Sequence, residues 1–194
     1  MSYHIYTTDG IILKRTMFGE ANILLYILTQ DLGLIIASAR STRLAVSKLR
    51  PALQEYSDVS VSVVHGKNGW KVTNVLEKEN FFFSCPEYSH RVLAQVTAVL
   101  LKMIQGEDPH PDIFHVVRTG FQFLKSVSEK DIQYFEYLFV LRILYYLGYV
   151  VSDSETEVFL KESMVWNVEI LQEIIPKKGV LLHIINKALK ESQL

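Results

Sequence analysis

The first eighty residues alternate or cluster their apolar side chains in the short blocks typical of β-strands. Residues 58–63 alternate strictly, with three valines separated by serines, which predicts a half-buried strand. The segment Asn22–Thr29 is almost continuously apolar, as in a strand that is covered on both faces. Five strands are predicted in all, over residues 10–15, 22–29, 34–39, 58–63 and 70–76.

The connections between these strands indicate the type of barrel. Residues 30–33 have turn chemistry, and residues 65–69 contain the Asn-Gly pair that favours a hairpin. A longer connection follows the third strand; its middle, residues 42–49, has helical spacing, and Pro51 should end any helix there. Five strands with a helical insertion after the third predict an OB-fold barrel, with an SH3-like barrel as the alternative.

Beyond residue 83 the apolar period becomes helical. Two stripes come first, formed by Val92, Val96, Val99 and Met103 and by Ile113, Val117, Phe121 and Leu124. A helix over about 130–147 is apolar on almost every side, which predicts a central position in a bundle. Ser154 opens a short fourth helix, Asn167 caps a fifth that Pro176 should end, and residues 180–189 form the last. The predicted fold is therefore α+β with two domains: an OB-fold β-barrel over 1–82 and an all-helical domain over 83–194.

Composition adds limits to this picture. Of the 194 residues, 49% are hydrophobic and 21% are charged, which is ordinary for a globular protein. The sequence has no apolar run of about 18 residues and no recognisable signal peptide at its start. The single cysteine, Cys85, excludes an internal disulfide and a cysteine-based zinc site. These features predict a soluble cytoplasmic protein without a membrane partner.

No arrangement of side chains indicates an enzyme. The chain lacks a phosphate-binding Walker loop and a G-x-G-x-x-G motif. His110, Asp112 and His115 cluster in the sequence, but a metal site needs three or four converging ligands, and a polar helix start is the favoured interpretation. Cys85 has no base beside it and is interpreted as a small hydrophobic residue. We expect no catalytic residues, no metal and no cofactor.

The aromatic residues allow two interpretations. Five tyrosines crowd the third helix: Tyr134, Tyr137, Tyr145, Tyr146 and Tyr149. Helical spacing favours packing for these over stacking on nucleic-acid bases. Tyr56 and Trp70 fall in or near predicted strands, where stacking is more natural, although a place in the barrel core is favoured for Trp70.

Cations are concentrated in one part of a chain whose net charge is −1. Residues 32–54 contain no acid but include Arg40, Arg43, Lys48 and Arg50. Composition alone fits a solvated surface as well as a phosphate-binding groove. Their place after the third strand of an OB-fold favours the groove, which Lys14 and Arg15 would extend. Such a groove would bind DNA in a salt-dependent manner and with little sequence specificity.

The order of several short motifs resembles the RecO family of DNA repair and recombination mediators. The motifs are Gly10 with "ILK", "FGEAN" at 18–22, "DLG" at 31–33, "ARS" at 39–41 and "LRPALQEYS" at 49–57. Further along, "VLRILYYLGYV" at 140–150 is similar to the end of a later helix in the family. The similarity is strong over residues 6–82 and looser over 85–150.

This resemblance implies a non-enzymatic protein with an OB-fold domain and a helical domain. It implies binding of single- and double-stranded DNA, strand annealing, and recombinase loading on strands coated by single-strand DNA-binding protein. RecR and that coating protein would be partners, and the protein would associate with the nucleoid. The positions matching the family's DNA-contacting basic residues are Lys14, Arg15, Arg40, Arg43, Lys48 and Arg50.

Three departures from the family pattern qualify these expectations. Many members carry a four-cysteine zinc site after "LGY", but "VVSDSETEVF" follows here, so no zinc is expected. The family's basic-Gly-Ala-Arg motif becomes Ser38-Ala39-Arg40-Ser41, which should lower DNA affinity, and the C-terminal part is short. An alternative hypothesis is therefore a protein-interaction module with little intrinsic DNA binding.

Overall fold

The computed structural model describes residues 4–18, 22–40, 51–161 and 165–191. The chain divides into two compact units. The first comprises Met1–Ser84 together with Gln105–Phe114, and the second comprises Cys85–Ile104 and His115–Leu194. The segment 105–114 therefore groups with the strands, although it follows the first long helix in sequence.

The first unit is built around a closed barrel of five strands. These are β1 (Ile5–Phe18), β2 (Asn22–Thr29), β3 (Gly33–Ala39), β4 (Ser57–Gly66) and β5 (Gly69–Asn80). The strand order is β1-β2-β3-β5-β4, and pairing of β1 with β4 closes the barrel. The β3–β5 pair is parallel and the other pairs are antiparallel. This arrangement confirms the OB-fold prediction over the SH3-like alternative.

Alternation along the strands produces the barrel core. Val59, Val61 and Val63 are fully buried, as their spacing in the sequence predicts. Strand β2 departs from the prediction that both of its faces are covered. Its odd-numbered residues from Ile23 to Ile27 lie in the core, whereas Leu24 and Tyr26 between them are only half-buried. The reason is that these two side chains lie on the outer surface of the barrel. An apolar side chain in this strand is therefore not always a buried one.

Strand β1 is longer than predicted and contains an irregularity. Its pairing with β2 shifts register between Ile12 and Lys14, and the three residues Ile11–Leu13 are all buried. Of these three residues, Ile12 belongs to the barrel core cluster. The shift in register is a β-bulge, which places an extra residue on β1 and resets which side chains face outward beyond it.

The second unit contains the long helices. In the described residues the α-helices are α1 (Phe81–Ser84), α2 (His90–Met103), α3 (Pro111–Leu124), α4 (Ile132–Tyr146), α5 (Glu157–Leu160) and α6 (Val168–Glu191); α1 belongs to the barrel unit. Helix α4 packs against both α2 and α6 and is buried without interruption from Leu138 to Leu144. Its predicted central position is confirmed. None of the helices in the described part of the chain combines the length and apolarity needed to cross a bilayer.

The prediction that Pro176 ends a helix is wrong. Helix α6 continues through Pro176 to Glu191. A proline removes one backbone donor inside a helix, but this loss is local. Leu171 and Ile174 before the proline and Leu181 after it are all buried, so packing against α4 continues on both sides and outweighs the missing hydrogen bond. The predicted Asn167 cap is confirmed, because its Oδ1 accepts a hydrogen bond from the amide of Ile170 at 2.9 Å.

A buried arginine anchors α4 to the chain that follows it. Arg142 has no exposed surface, and its Nε and Nη1 atoms donate to the carbonyl oxygens of Phe159 and Val165 at 3.1 and 2.8 Å. Its guanidinium also lies 4.4 Å from the ring centroid of Trp166. Burial lowers the pKa of Arg142 to about 10. The side chain therefore stays charged at neutral pH and links α4 to Phe159 and Val165.

Replacing Arg142 should destabilise the helical unit strongly. We expect Arg142→Ala to lower the free energy of unfolding by about 3 kcal/mol, because two buried carbonyls lose their donor and the cation–π contact is lost. Urea denaturation followed by circular dichroism measures the change. The control is Arg91→Ala, which removes an exposed ion pair with Glu136 and should cost less than about 1 kcal/mol. Equal losses in the two variants would contradict the anchoring role.

Substitution of two glycines with positive φ distinguishes the cost of backbone strain from the cost of steric contact. Gly33 (φ 71°) lies where a Cβ atom would overlap the backbone carbonyl of Asp108, whereas Gly69 (φ 85°) faces open space. Gly69→Ala should therefore cost only the strain, roughly 1 kcal/mol or somewhat more. Gly33→Ala should cost at least about 1 kcal/mol more, because the 105–114 segment must also move. Thermal unfolding of both variants tests this difference, and equal melting temperatures would rule out the close approach.

Candidate nucleic-acid interface

The outer face of β1, β2 and β3 carries side chains aligned in rows across the strands. Lys14 pairs with Tyr26, and Tyr26 pairs with Ile36 on the next strand. Adjacent strands lie about 4.8 Å apart, so these three residues form one continuous row. Lys14 and Ile36 are exposed and Tyr26 is half-buried. The row therefore offers a cation, an aromatic ring and an aliphatic surface to the solvent.

Lys14 and Tyr26 are coupled by their geometry. The Nζ atom of Lys14 lies 5.6 Å from the centroid of the Tyr26 ring, within the range of a cation–π contact. This contact positions the ammonium group over a ring that is still partly exposed. Sequence reasoning missed Tyr26, because it lies within the apolar run of β2 and the face it occupies depends on the register.

Two further cations lie near β3. Arg40 follows the end of β3 and is exposed. Lys71 comes from β5 and pairs with Ser38 in the parallel β3–β5 ladder. Lys71 is distant in sequence from the acid-free segment, so only the barrel topology reveals that it is a neighbour of β3. Of the cations predicted in that segment, Arg43, Lys48 and Arg50 lie outside the described residues.

Lys14 and Arg15 do not form one patch. Beyond the bulge, Arg15 pairs with Leu25, whose side chain belongs to the barrel core, whereas Lys14 pairs with the outward Tyr26. The Arg15 guanidinium donates through Nη1 to Oε1 of Gln54 at 3.2 Å, and its backbone amide donates to Oε1 of Glu55 at 2.8 Å. The structure thus directs the two adjacent cations to opposite sides of β1.

Most of the other residues that the sequence singled out lie in surroundings that fit packing roles. Cys85 is buried, with its Sγ 4.0 Å from the carbonyl oxygen of Phe121, and Trp70 lies at the edge of the barrel core. The tyrosines singled out on α4 are half-buried, while Tyr149, beyond the helix, is exposed. Within the described ranges no three His, Cys, Asp or Glu side chains come together in a way that could hold a metal ion, and this includes the cluster at His110.

Asp153 has a local role at the start of α5. Hydrogen bonds from the side chain and the backbone of Thr156 lower the pKa of this carboxyl group. The carboxylate also accepts a hydrogen bond from the amide of Glu155. The Asp153 carboxylate therefore satisfies two backbone amides ahead of a short helix.

Comparison with known proteins links this barrel to DNA repair. The family model described as "Recombination protein O N terminal" matches residues 1–78. The DNA repair protein RecO of Heliobacterium modesticaldum is 30% identical over 148 residues, which is 75% of this chain and 52% of that protein. The RecO protein of Dehalococcoides mccartyi is 29% identical over 136 residues, which is 69% of this chain and 54% of that protein. The chain thus spans about half the length of the curated relatives it matches.

Proposed function

Because the chain belongs to the RecO family of DNA repair proteins, we propose that it binds single- and double-stranded DNA through the outer face of its barrel. The observation that carries this proposal is the row Lys14–Tyr26–Ile36, which lies in register across three strands. Arg40 and Lys71 lie beside the same strands. OB-fold barrels use this part of their surface for oligonucleotides.

The chemistry of the row suits binding without sequence specificity. Lysine and arginine neutralise phosphates and release counterions, which supplies affinity without reading bases. The half-buried Tyr26 ring adds an aromatic contact, which every base can make. The row consists of Lys14, Tyr26 and Ile36. None of these three side chains is an amide or a carboxylate suited to hydrogen bonding with a base edge.

The remaining activities follow from family membership as proposals. We propose that the protein promotes annealing of complementary strands and acts without enzymatic turnover. It would work with RecR to load recombinase on DNA that is coated by single-strand DNA-binding protein. Contacts with phosphates support annealing, because they hold a strand while its base edges remain free to pair.

A second candidate function is a protein-interaction module with little DNA binding. One observation favours it: Ser38 stands where the family has a basic residue, and its hydroxyl donates to the carbonyl oxygen of Trp70 at 3.2 Å. This position therefore contributes to holding β3 on β5 and adds no charge to the surface. Co-purification with RecR or with single-strand DNA-binding protein, without retention of DNA, would favour this candidate.

Salt dependence of binding tests the DNA proposal. The affinity for a labelled single-stranded oligonucleotide should fall as salt rises, and Lys14→Ala or Arg40→Ala should each lower the slope of log affinity against log salt by about 0.7. Fluorescence anisotropy at several salt concentrations measures this slope. Lys102→Ala, an exposed lysine near the end of α2, is the control and should leave the slope unchanged. A slope near zero for the unaltered protein, or slopes that ignore Lys14 and Arg40, would reject the DNA site.

Strand annealing can be followed in the same solution. Adding the labelled complementary strand should give duplex at a rate well above the spontaneous rate, and combining Lys14→Ala with Arg40→Ala should slow it, because fewer phosphates are held. Fluorescence energy transfer between the two strands reports duplex formation. Tight binding of both strands without faster pairing would remove annealing from the proposed function while leaving DNA binding in place.

A further inference from the structure

A cavity of about 380 Å³ opens on the barrel unit beside Arg15, away from the row of Lys14 and Tyr26. Its aromatic walls are Tyr56, Phe82 and Phe83. Its size falls in the lower part of the range for small-molecule sites. Arg15, Gln54 and Glu55 complete the part of the wall that is polar.

The aromatic rings of the pocket form one stacked pair and one perpendicular pair. Tyr56 and Phe82 are stacked with their ring planes 15° apart and their centroids 6.3 Å apart. Phe83 stands almost perpendicular to Phe82, with centroids at 5.5 Å. Phe82 is 41% exposed and Phe83 is 79% exposed. Two neighbouring phenylalanines this exposed, beside a cavity, indicate a binding surface.

The backbone beneath these rings is held in an unfavourable conformation. Tyr56 has a φ of 67°, in the left-handed region that bulky side chains rarely adopt. Its amide donates to the carbonyl of Ile12 at 2.7 Å, and its own carbonyl accepts from the amide of Phe81 at 3.0 Å. The buried Asn80 donates to the carbonyl of Glu55 at 2.9 Å. Such over-determined strain is characteristic of functional sites.

The charges of the pocket select among possible occupants. Arg15 and Glu55 meet at its wall, since the Arg15 amide donates to the Glu55 carboxylate. An isolated phosphate or an acidic peptide end would be attracted by Arg15 but repelled by Glu55. A nucleobase suits both, because it combines a flat face with hydrogen-bond donors and acceptors on its edge.

We propose that this pocket binds one unpaired nucleobase of a single strand, stacked on Phe83 with its edge toward Arg15 and Glu55. The proposal rests on the proposed DNA binding and deepens it. Lys14 and Arg15 are consecutive residues about 3.8 Å apart that face opposite sides of β1. A DNA strand whose phosphates contact Lys14 would therefore pass close to a base-sized pocket on the opposite face of β1.

The test combines changes in the protein with changes in the DNA. The probes are a single-stranded oligonucleotide that carries 2-aminopurine and a strand of equal length without bases. Phe83→Ala should lower affinity for the normal strand about fivefold or more, the usual loss when a stacking aromatic is removed. The fluorescence of 2-aminopurine should be quenched when the unaltered protein binds the strand, and Phe83→Ala should relieve this quenching. For the strand without bases, Phe83→Ala should bind as the unaltered protein does.

Two further variants sharpen the result. Tyr149→Ala removes another aromatic side chain that is 40% exposed, in the second unit and outside the lining of the pocket, and should keep both affinity and quenching. Phe83→Leu preserves an apolar surface without an aromatic face and should behave like Phe83→Ala. If Phe83→Leu retains both quenching and affinity, the pocket is merely apolar and the proposal fails.

Failure of this proposal can be told apart from failure of the proposed function. If DNA binds but its quenching and affinity do not depend on Phe83, the nucleobase pocket is rejected and DNA binding by the outer face stands. If the unaltered protein binds neither strand at low salt, the proposed function and the pocket both fall. An equal loss in Phe83→Ala and Tyr149→Ala also rejects the pocket, because the effect would then be general.

Discussion

The β-bulge between Ile12 and Lys14 determines which faces of β1 carry Lys14 and Arg15. Strand β1 pairs with both β2 and β4, so it is the strand that closes the barrel. A shift of one residue in a strand exchanges its two faces. Without the bulge, Lys14 would turn toward the core side and Arg15 would join the outer row. With it, Lys14 pairs with the outward Tyr26 and Arg15 pairs with the core residue Leu25, so the two cations separate.

This separation produces two surfaces with different chemistry on one small barrel. The outer row offers a cation over a tyrosine ring, in an open setting that suits a passing phosphate backbone. The pocket near Arg15 offers exposed phenylalanines and a carboxylate that accepts a hydrogen bond from the Arg15 amide, in an open recess that suits a single flat group. Lys14 belongs to one surface and the adjacent Arg15 to the other. A ligand that occupies both must therefore pass from one face of β1 to the other.

Local patterns predicted the elements well, and long-range pairing explains what they missed. The alternating valines of β4 and the apolar helix α4 follow directly from period, and both are confirmed. The continuity of α6 through Pro176 depends on packing partners that no local rule contains. The positions of Lys71 beside Ser38 and of Gln54 beside Arg15 depend on topology and on the bulge, across 33 and 39 residues of sequence. The positive φ of Tyr56 has no sequence signal, because a tyrosine is among the last residues expected there.

For the proposed DNA binding, a near-neutral protein must balance charge against stacking. With Lys14, Arg40 and Lys71 as the described cations near this face, phosphate contacts would contribute only a shallow salt dependence, about 0.7 per contact on a single strand. Aromatic contacts supply affinity that salt does not screen. The proposed annealing would gain from this balance, because the protein would have to hold a strand firmly enough to present it and loosely enough to release it into a duplex. Stacking one base in a pocket, while most bases stay free, meets both conditions, because pairing of the neighbouring bases then competes with a single contact.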